Sequence, residues 1–467
     1  MPTYPELLAQ LAVLNAELDR RIRRHLRVEP YFELVEGRSP VPPSVIRAGC
    51  TNAYRDVMAM SETPWGKVIV NSKLDRLEVT GIDSEDGGVD DVVWGLWQDE
   101  AMDLESKLAH SATLLDGRAH ALVWPRDGQP RISLDDATQM VVAYEEGSRR
   151  HRVAALRRWV DDTKRPHATL YRPEGIYKFS GPKNSSGMGG TRWEPRDVDG
   201  EPWPLDNPYG FVPVVELAVN RRLKAGTFAH ARGEFEDVVG LMDRINLLTF
   251  LGLVVAYWLG FPLRGVLGEK ILRTDDGRPL PPFESRPDSV FQFENPEAKI
   301  AEYRAADRSN LSVFAELTEL AAATSTPRHY LPMDGAISNV SEPTIRAFEG
   351  GMHATINASH KPSLSEGWEE VLRLAGTMMP TPVLLSPRAS LQWADHESRS
   401  LGERADAALK LSQSGLPWQG VADLALNLSH DEISRYEAQQ SAGVLGDLLR
   451  EARQPITATP ISSNGVG

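Results

Sequence analysis

Nineteen consecutive residues, INLLTFLGLVVAYWLGFPL from Ile245 to Leu263, carry no charged side chain. A run like this limits what the chain can be. It crosses a bilayer, fills a core, or is covered by other chains. Its length is close to the ~20 apolar residues that a transmembrane helix needs. Several features argue against a span. Asp243 and Arg244 stand immediately before it in the same helical pattern, and Asn246, Thr249, Gly252, Gly260 and Pro262 dilute it. No basic flank sets an orientation. A helix that is apolar all round is otherwise buried on every side, in a large core or between subunits. Membrane anchoring through residues 245–263 stays as the alternative.

The rest of the chain is polar and acidic. It has 467 residues and a net charge of −14, with 41% hydrophobic and 25% charged residues, which suits a soluble protein of several domains. Nucleic-acid binders usually display a basic patch, so simple DNA binding is disfavoured. The one cysteine, Cys50, excludes an internal disulfide and a cysteine zinc site. The N-terminus lacks the basic start and apolar centre of a signal peptide.

Periodicity organises the chain. Leu7, Leu8, Leu11, Leu14 and Leu18 predict a helix over 4–27, closed by the basic cluster Arg20–His25, where cations complement the helix dipole. A short helix is expected over 46–61, two strands around KVIVNSKLDRLEVTGI, and a helix over 90–115 with Trp94 and Trp97 in its core. RAHALVWPRDGQPRISLDD reads as a hairpin turning at Asp127-Gly128. Further strands are expected in MVVAYEE, RVAALRRWVD and ATLYRPEGIYKFS, so 46–220 is an α+β unit with a mostly antiparallel sheet. A long helix follows over Phe235–Leu259, then Pro-rich strands and loops to residue 305, and an amphipathic helix over Asp307–Ala323. After a loop, Ser341 caps another long helix reaching about Gly376. A strand in ASLQWAD, C-terminal helices and a Ser/Thr/Gly-rich tail complete the chain.

Enzyme signatures are scarce. There is no GxxxxGK[ST], no GxGxxG after a strand and no HExxH. His353 and His360 lie seven apart on one helix face with no further ligands at metal spacing, and read as surface histidines. The pairs Asp90-Asp91, Asp135-Asp136 and Asp161-Asp162 sit at element ends, where Asp normally caps or turns. If the α+β unit held an unrecognised active site, Asp135, Asp136 and His120 would be its best residues. No catalytic, cofactor-binding or metal residue is assigned.

The order of elements, with several local runs, resembles the portal proteins of tailed double-stranded DNA phages. The likeness is to the long-tailed-phage type, and to portals of phages that infect actinobacteria. Ser111–Glu145 (SATLLDGRAHALVWPRDGQPRISLDDATQMVVAYE) is similar to that family's wing segment, and AALRRWVD followed by ATLYRPEGIYKF to its next strands. NPYGFVPVVELAVNRR resembles the run before the stem, GEFEDVVGLMDRINLL the start of the stem, and AAATSTPRHYL the end of the returning helix. SNVSEPTIRAFEGGM resembles the start of the backbone helix, although the family often has Ser-Gly where this chain has Ser341-Glu342-Pro343. DAALKLSQSGLPWQGVADLALNLSHDEISRYE resembles the crown-side helices. The likeness covers roughly residues 1–455.

The resemblance implies a non-enzymatic ring, twelve-fold in the virion, that forms the DNA channel at one capsid vertex. Genome packaging and ejection pass through it. The implied parts are an N-terminal arm (1–45), a mixed α/β wing (46–232), stem helices (233–259 and 307–324) and a small β-containing clip (260–306). A tunnel loop (325–340), the wing backbone helix and strand (341–399) and a helical crown with a flexible tail (400–467) follow. Arg328, His329, Leu331, Met333, Asp334, Ser338 and Asn339 would face DNA. Leu247, Leu248, Leu251, Val254, Val255 and Trp258 would join subunits in the stem. Arg264, Pro281, Pro282, Phe283 and Phe291 would dock partners at the clip. Implied partners are further copies of the chain, double-stranded DNA, the large terminase, the head–tail connector and the major capsid protein, without a cofactor or a membrane. The implied location is the virion portal vertex, with host cytoplasm during assembly.

Overall fold

The structure is a computed structural model that describes residues 2–33, 57–84, 87–185, 191–198, 200–224, 226–260, 263–268, 273, 275–276, 295–303, 313–331, 342–394, 401–426, 428, 432–433 and 435–441. It opens with helix α1 (Tyr4–Phe32), whose start is held by the Glu6 carboxylate accepting the Thr3 N–H at 2.7 Å. Leu7, Leu11, Leu14 and Leu18 form one buried stripe. They pack on Val141, Leu156, Leu170 and Phe179 of an antiparallel sheet. Its strands β4 (Met140–Tyr144), β5 (Arg152–Val160), β6 (Pro166–Arg172), β7 (Gly175–Ser180) and β8 (Glu194–Pro195) lie side by side in sequence order. The helix does not end at Arg20–His25. That cluster lies mid-helix and ties α1 to the rest of the fold. Arg21 reaches Glu216 at 3.3 Å, Arg24 bonds Glu236, and His25 meets Asp116 at 2.9 Å.

Two further expectations need correction. Lys67–Leu74 is helix, not strand: α2 spans Trp65–Leu74, and only β1 (Val79–Asp83) is extended. The β-branched run Val68-Ile69-Val70 favours strands locally, but Ile69 and Val70 are fully buried in the main core as part of the helix. The expected helix over 90–115 is two helices, α3 (Gly87–Asp99) and α4 (Met102–Asp116), separated at Ala101, which has φ 53°. Trp94 and Trp97 stack in the core as expected, with centroids 5.8 Å apart.

The hairpin β2 (Arg118–Arg126) and β3 (Gln129–Asp136) turns at Asp127 and Gly128, both at positive φ, as a two-residue hairpin loop requires. With β10 (Val214–Ala218) it forms a sheet ordered β10-β2-β3. A two-residue strand β9 (Leu205–Asp206) pairs with β7. The apolar run lies in α5 (Val239–Gly260), preceded by a 3-10 turn at Glu236–Val238. A hairpin of β11 (Leu263–Leu267) and β12 (Lys299–Tyr303) leads on to α6 (Phe314–Ala323).

The long helix after residue 341 consists of α7 (Glu342–Thr355), a π-helical turn at Ile356–His360, and α8 (Lys361–Thr377). Strand β13 (Ser390–Trp393) returns to pair antiparallel with β1. Helices α9 (Leu401–Gln413) and α10 (Trp418–Val421) follow. The α+β class read from the sequence is the class observed.

Candidate functional site

The root of α5 is built from its first turns. Val239, Met242 and Ile245 are buried. Asn246 is fully buried and accepts the Thr63 hydroxyl at 2.9 Å. Asp243 accepts the Tyr31 hydroxyl, and burial together with that carboxylate pushes the Tyr31 pKa up. Arg244 reaches across to α6, 2.5 Å from Glu316 and 2.7 Å from Glu319. This pairing fixes α5 and α6 side by side.

Beyond Asn246 the burial stops. Leu247, Leu248, Val254 and Val255 are only partly covered, and Leu251 and Leu253 are exposed at 39% and 37%. The most apolar 18-residue stretch within Glu236–Ala256 has a mean hydropathy of 1.8, yet only 22% of it is buried. By length and composition alone it could cross a membrane. Over residues 247–256 the apolar run is therefore only partly covered by its own chain. Trp258 lies on α5 with its side chain outside the described residues. In the hairpin beyond, Arg264 sits on β11 opposite Glu302. Pro281, Pro282, Phe283 and Phe291 fall outside the described residues.

A buried polar node clasps the start of α5 to the end of α6. Glu234, just before α5, binds Lys73 of α2, the Asn220 amide at 2.7 Å and His360 Nε2 at 2.7 Å. Lys73 also donates to the Thr324 carbonyl at the end of α6, at 2.8 Å. Burial alone would raise the pKa of Glu234, but the His360 hydrogen bond and the Lys73 charge bring it down to about 2. His360 thus corrects the reading of a surface histidine. A π-helical turn holds an extra residue relative to an α-turn, so His360 leaves the face of His353 and turns inward, fully buried. Lys73, Asn220 and Glu234 were not singled out in the sequence. Their partners lie 14 to 251 positions apart, beyond any local pattern.

The segment after α6 is held by a second set of contacts. Arg76 donates to the Tyr330 hydroxyl at 2.8 Å and to Glu349 at 3.1 Å, and His329 Nε2 lies 3.4 Å from the same Glu349. Of the residues expected to face DNA, Arg328 is exposed and His329 is partly covered. Leu331 is buried, 2% exposed. Met333, Asp334, Ser338 and Asn339 lie outside the described residues.

Four of the carboxylates considered for catalysis, Asp90, Asp135, Asp136 and Asp161, have structural partners. Asp135 pairs with Arg157 at 2.9 Å, and Asp136 takes the Thr138 N–H and hydroxyl in a tight turn. His120 is fully buried, 3.6 Å from Glu216, which Arg21 and Arg118 also approach at 3.3 Å. Burial is the main cause of the lowered His120 pKa. Asp161 caps a turn through the Thr163 and Arg165 N–H groups, and Asp90 accepts the Ser84 N–H. Among the described residues, no group of three or more His, Cys, Asp or Glu is arranged to hold a metal ion.

An α+β body with a rooted but uncovered apolar helix, a returning partner and a small β-hairpin between them is the arrangement that the resemblance implied. Residues 46–250 match the family model described as Phage portal protein, SPP1 Gp6-like. The chain resembles phage portal proteins. It is 25% identical to the portal protein of Mycobacterium phage L5 over 418 residues, covering 84% of this chain and 82% of that one. Against the portal protein of Mycobacterium phage D29 the identity is 26% over 429 residues, with the same coverage. Among solved structures, a chain in the virion of the native gene transfer agent particle aligns with a TM-score of 0.43 and 11% identity, covering 81% of this chain and 94% of that one. A chain in the neck of the native particle, computed with C12 symmetry, aligns at 0.44 and 13%, covering 79% and 93%.

Proposed function

We propose that this chain is the subunit of a phage portal, a ring at one capsid vertex through which double-stranded DNA enters and leaves. The observation that carries this reading is the uncovered apolar length of α5. Large exposed apolar surface on a soluble chain marks a contact with another molecule. In a ring, each such helix meets α6 of its own subunit and the helices of two neighbours, so it becomes covered without lipid. The 22 residues of α5 span roughly 33 Å, a fitting height for a channel wall. Leu247, Leu248, Leu251, Val254, Val255 and Trp258 would form the inter-subunit contact.

The acidic balance supports the same reading. Lys and Arg contacts to phosphate supply most non-specific DNA affinity, and a mainly acidic channel lets DNA slide. The chain would work without catalysis. Large terminase and then the head–tail connector would dock at the hairpin between α5 and α6, around Arg264, Pro281, Pro282, Phe283 and Phe291. The major capsid protein would surround the ring in the virion, with subunits passing through the host cytoplasm before assembly. Residues 325–340 would form the tunnel loop, with Asp334 and Asn339 toward DNA.

Negative-stain images and light scattering of the purified protein test this directly. Rings with a central hole and a mass of several hundred kilodaltons or more are expected. A strict monomer at high concentration would overturn it. The exposed α5 also fits a membrane anchor. In that case the protein would sediment with vesicles and need detergent, whereas the portal reading expects detergent-free solubility.

A further inference from the structure

Two surface features are left over by this reading. The first is a cavity of about 360 Å³ between the turn after β4 and the segment 221–230. Arg149, Arg221, Arg222, Lys224 and His230 line it, and among the described residues no carboxylate does. The Tyr144 N–H donates to the Thr227 carbonyl at 2.7 Å, which fixes one wall to the end of β4. Arg222 is held by Asp237 at 2.8 Å, and Arg221 donates to the Glu216 carbonyl at 3.0 Å. Among the described residues, Arg149 and Lys224 have no carboxylate partner. A basic pocket of this kind stands out on a chain of net charge −14.

The second feature is the corner between α3 and α4. Val92, Leu104 and Leu108 are exposed at 45%, 63% and 57%. Leu104 and Leu108 are four apart and share one face of α4. Asp91, Asp99 and Asp103 are exposed around them. Glu100 fixes the corner to β3 by accepting from Arg131 at 2.6 Å and from the Ile132 N–H at 3.0 Å.

Their placement is informative. In the sheet β10-β2-β3, the cationic pocket follows the end of β10 at one edge, and the acidic corner rides on β3 at the other. The two surfaces are complementary in charge and belong to opposite edges. Contacts between unlike patches on identical chains are head-to-tail, and they close into rings when the rotation fits. We infer that the α3–α4 corner of one copy seats against the Arg149 and Lys224 pocket of the next. This rests on the ring proposed above and assigns to it a second contact, away from α5.

DNA fits the pocket less well. The cavity has room for one or two side chains. The wider cleft beside it, about 770 Å³, mixes Arg150, Arg152 and Arg373 with Glu366, Glu369 and Glu370, and these arginines already pair with Glu366 and Glu370, so no run of free cations extends the pocket into a phosphate track.

The test uses full-length protein in four forms: wild type, R149E/K224E, D99K/L104K and the combination of all four changes. Ring formation is followed by native mass spectrometry across a concentration series, and circular dichroism checks that each form is folded. Each double variant should need at least tenfold more protein for half-assembly, and the combination should recover most of that loss. Wild-type rings with double variants that assemble as wild type does would overturn this contact and leave the portal reading standing. Absence of wild-type rings would sink both. A short DNA duplex is added as a separate arm. Loss of DNA binding in R149E/K224E with unchanged assembly would make the pocket a phosphate site and overturn the inference.

Discussion

His360 places its Nε2 2.7 Å from Oε1 of Glu234, so the π-helical turn between α7 and α8 is bonded directly to the residue that precedes the apolar helix. Lys73 closes the node from α2 and binds the end of α6 as well. One buried carboxylate therefore holds four segments together. Replacing Glu234 by Ala leaves the Lys73 ammonium and His360 without their anion. Breaking a buried pair from one side costs about 3–5 kcal/mol. A lowered urea midpoint at unchanged m-value is expected, and an unchanged midpoint would show that the node contributes nothing.

The same group predicts an acid response. Glu234 has its folded pKa depressed to about 2, below an unfolded carboxylate near 4.3. Its stabilisation is fully present above the unfolded value and is lost as pH falls toward 2. Between about pH 4.5 and 2, wild type should lose more stability than Glu234→Gln. Parallel acid-unfolding curves for the two proteins would contradict this.

A second buried histidine acts through neutrality. His110 is fully buried, its Nδ1 lies 3.2 Å from the Leu77 carbonyl, and its Nε2 accepts the Trp368 indole N–H at 2.8 Å. Those two contacts require a neutral ring with the proton on Nδ1. Burial lowers its pKa to about 4, against about 6.5 when unfolded. The unfolded chain therefore binds more protons between those values, and stability should rise with pH from about 4 to 6.5. Trp368→Phe strands the Nε2 acceptor and should cost about 1–3 kcal/mol, measured by thermal unfolding at pH 7.

Gly233 marks a close backbone approach. A Cβ there would lie 1.8 Å from the Leu115 carbonyl oxygen, next to the Glu234 N–H that donates to Leu114 at 2.8 Å. Gly233→Ala must push the lead-in to α5 away from α4. A loss of about 3 kcal/mol is expected, at the upper end of overpacking costs. A crystal structure of a fully stable Ala variant would show this spacing to be soft.

Val254 and Val255 are only partly covered within the protomer. Changing either to Asp should barely alter the unfolding of a single subunit, while burying an unpaired charge in the proposed ring would cost several kcal/mol per subunit. Light scattering should show small species for the variants and rings for wild type. Variants that assemble as wild type does would move the contact elsewhere.

What the sequence revealed was what local periodicity encodes. The Leu7–Leu18 stripe and the Asp127-Gly128 turn were legible because each follows from a helical repeat or a fixed turn geometry. Val68-Ile69-Val70 misled because strand preference is weak and core packing overrode it. Arg20–His25 looked like a helix end, since its partners Glu216, Glu236 and Asp116 are far away in sequence. The Glu234 node was invisible for the same reason. The inward turn of His360 was hidden because a π-helical turn shifts the phase on which the one-face reading depended.

The bare flank of α5 also sets an order of events during synthesis. A newly made chain on its own would present this apolar rod to solvent, where transiently exposed apolar surface invites aggregation at micromolar concentrations. Finding its siblings is then a race against clumping. If the proposed ring forms, the outcome depends on how many copies are made at once.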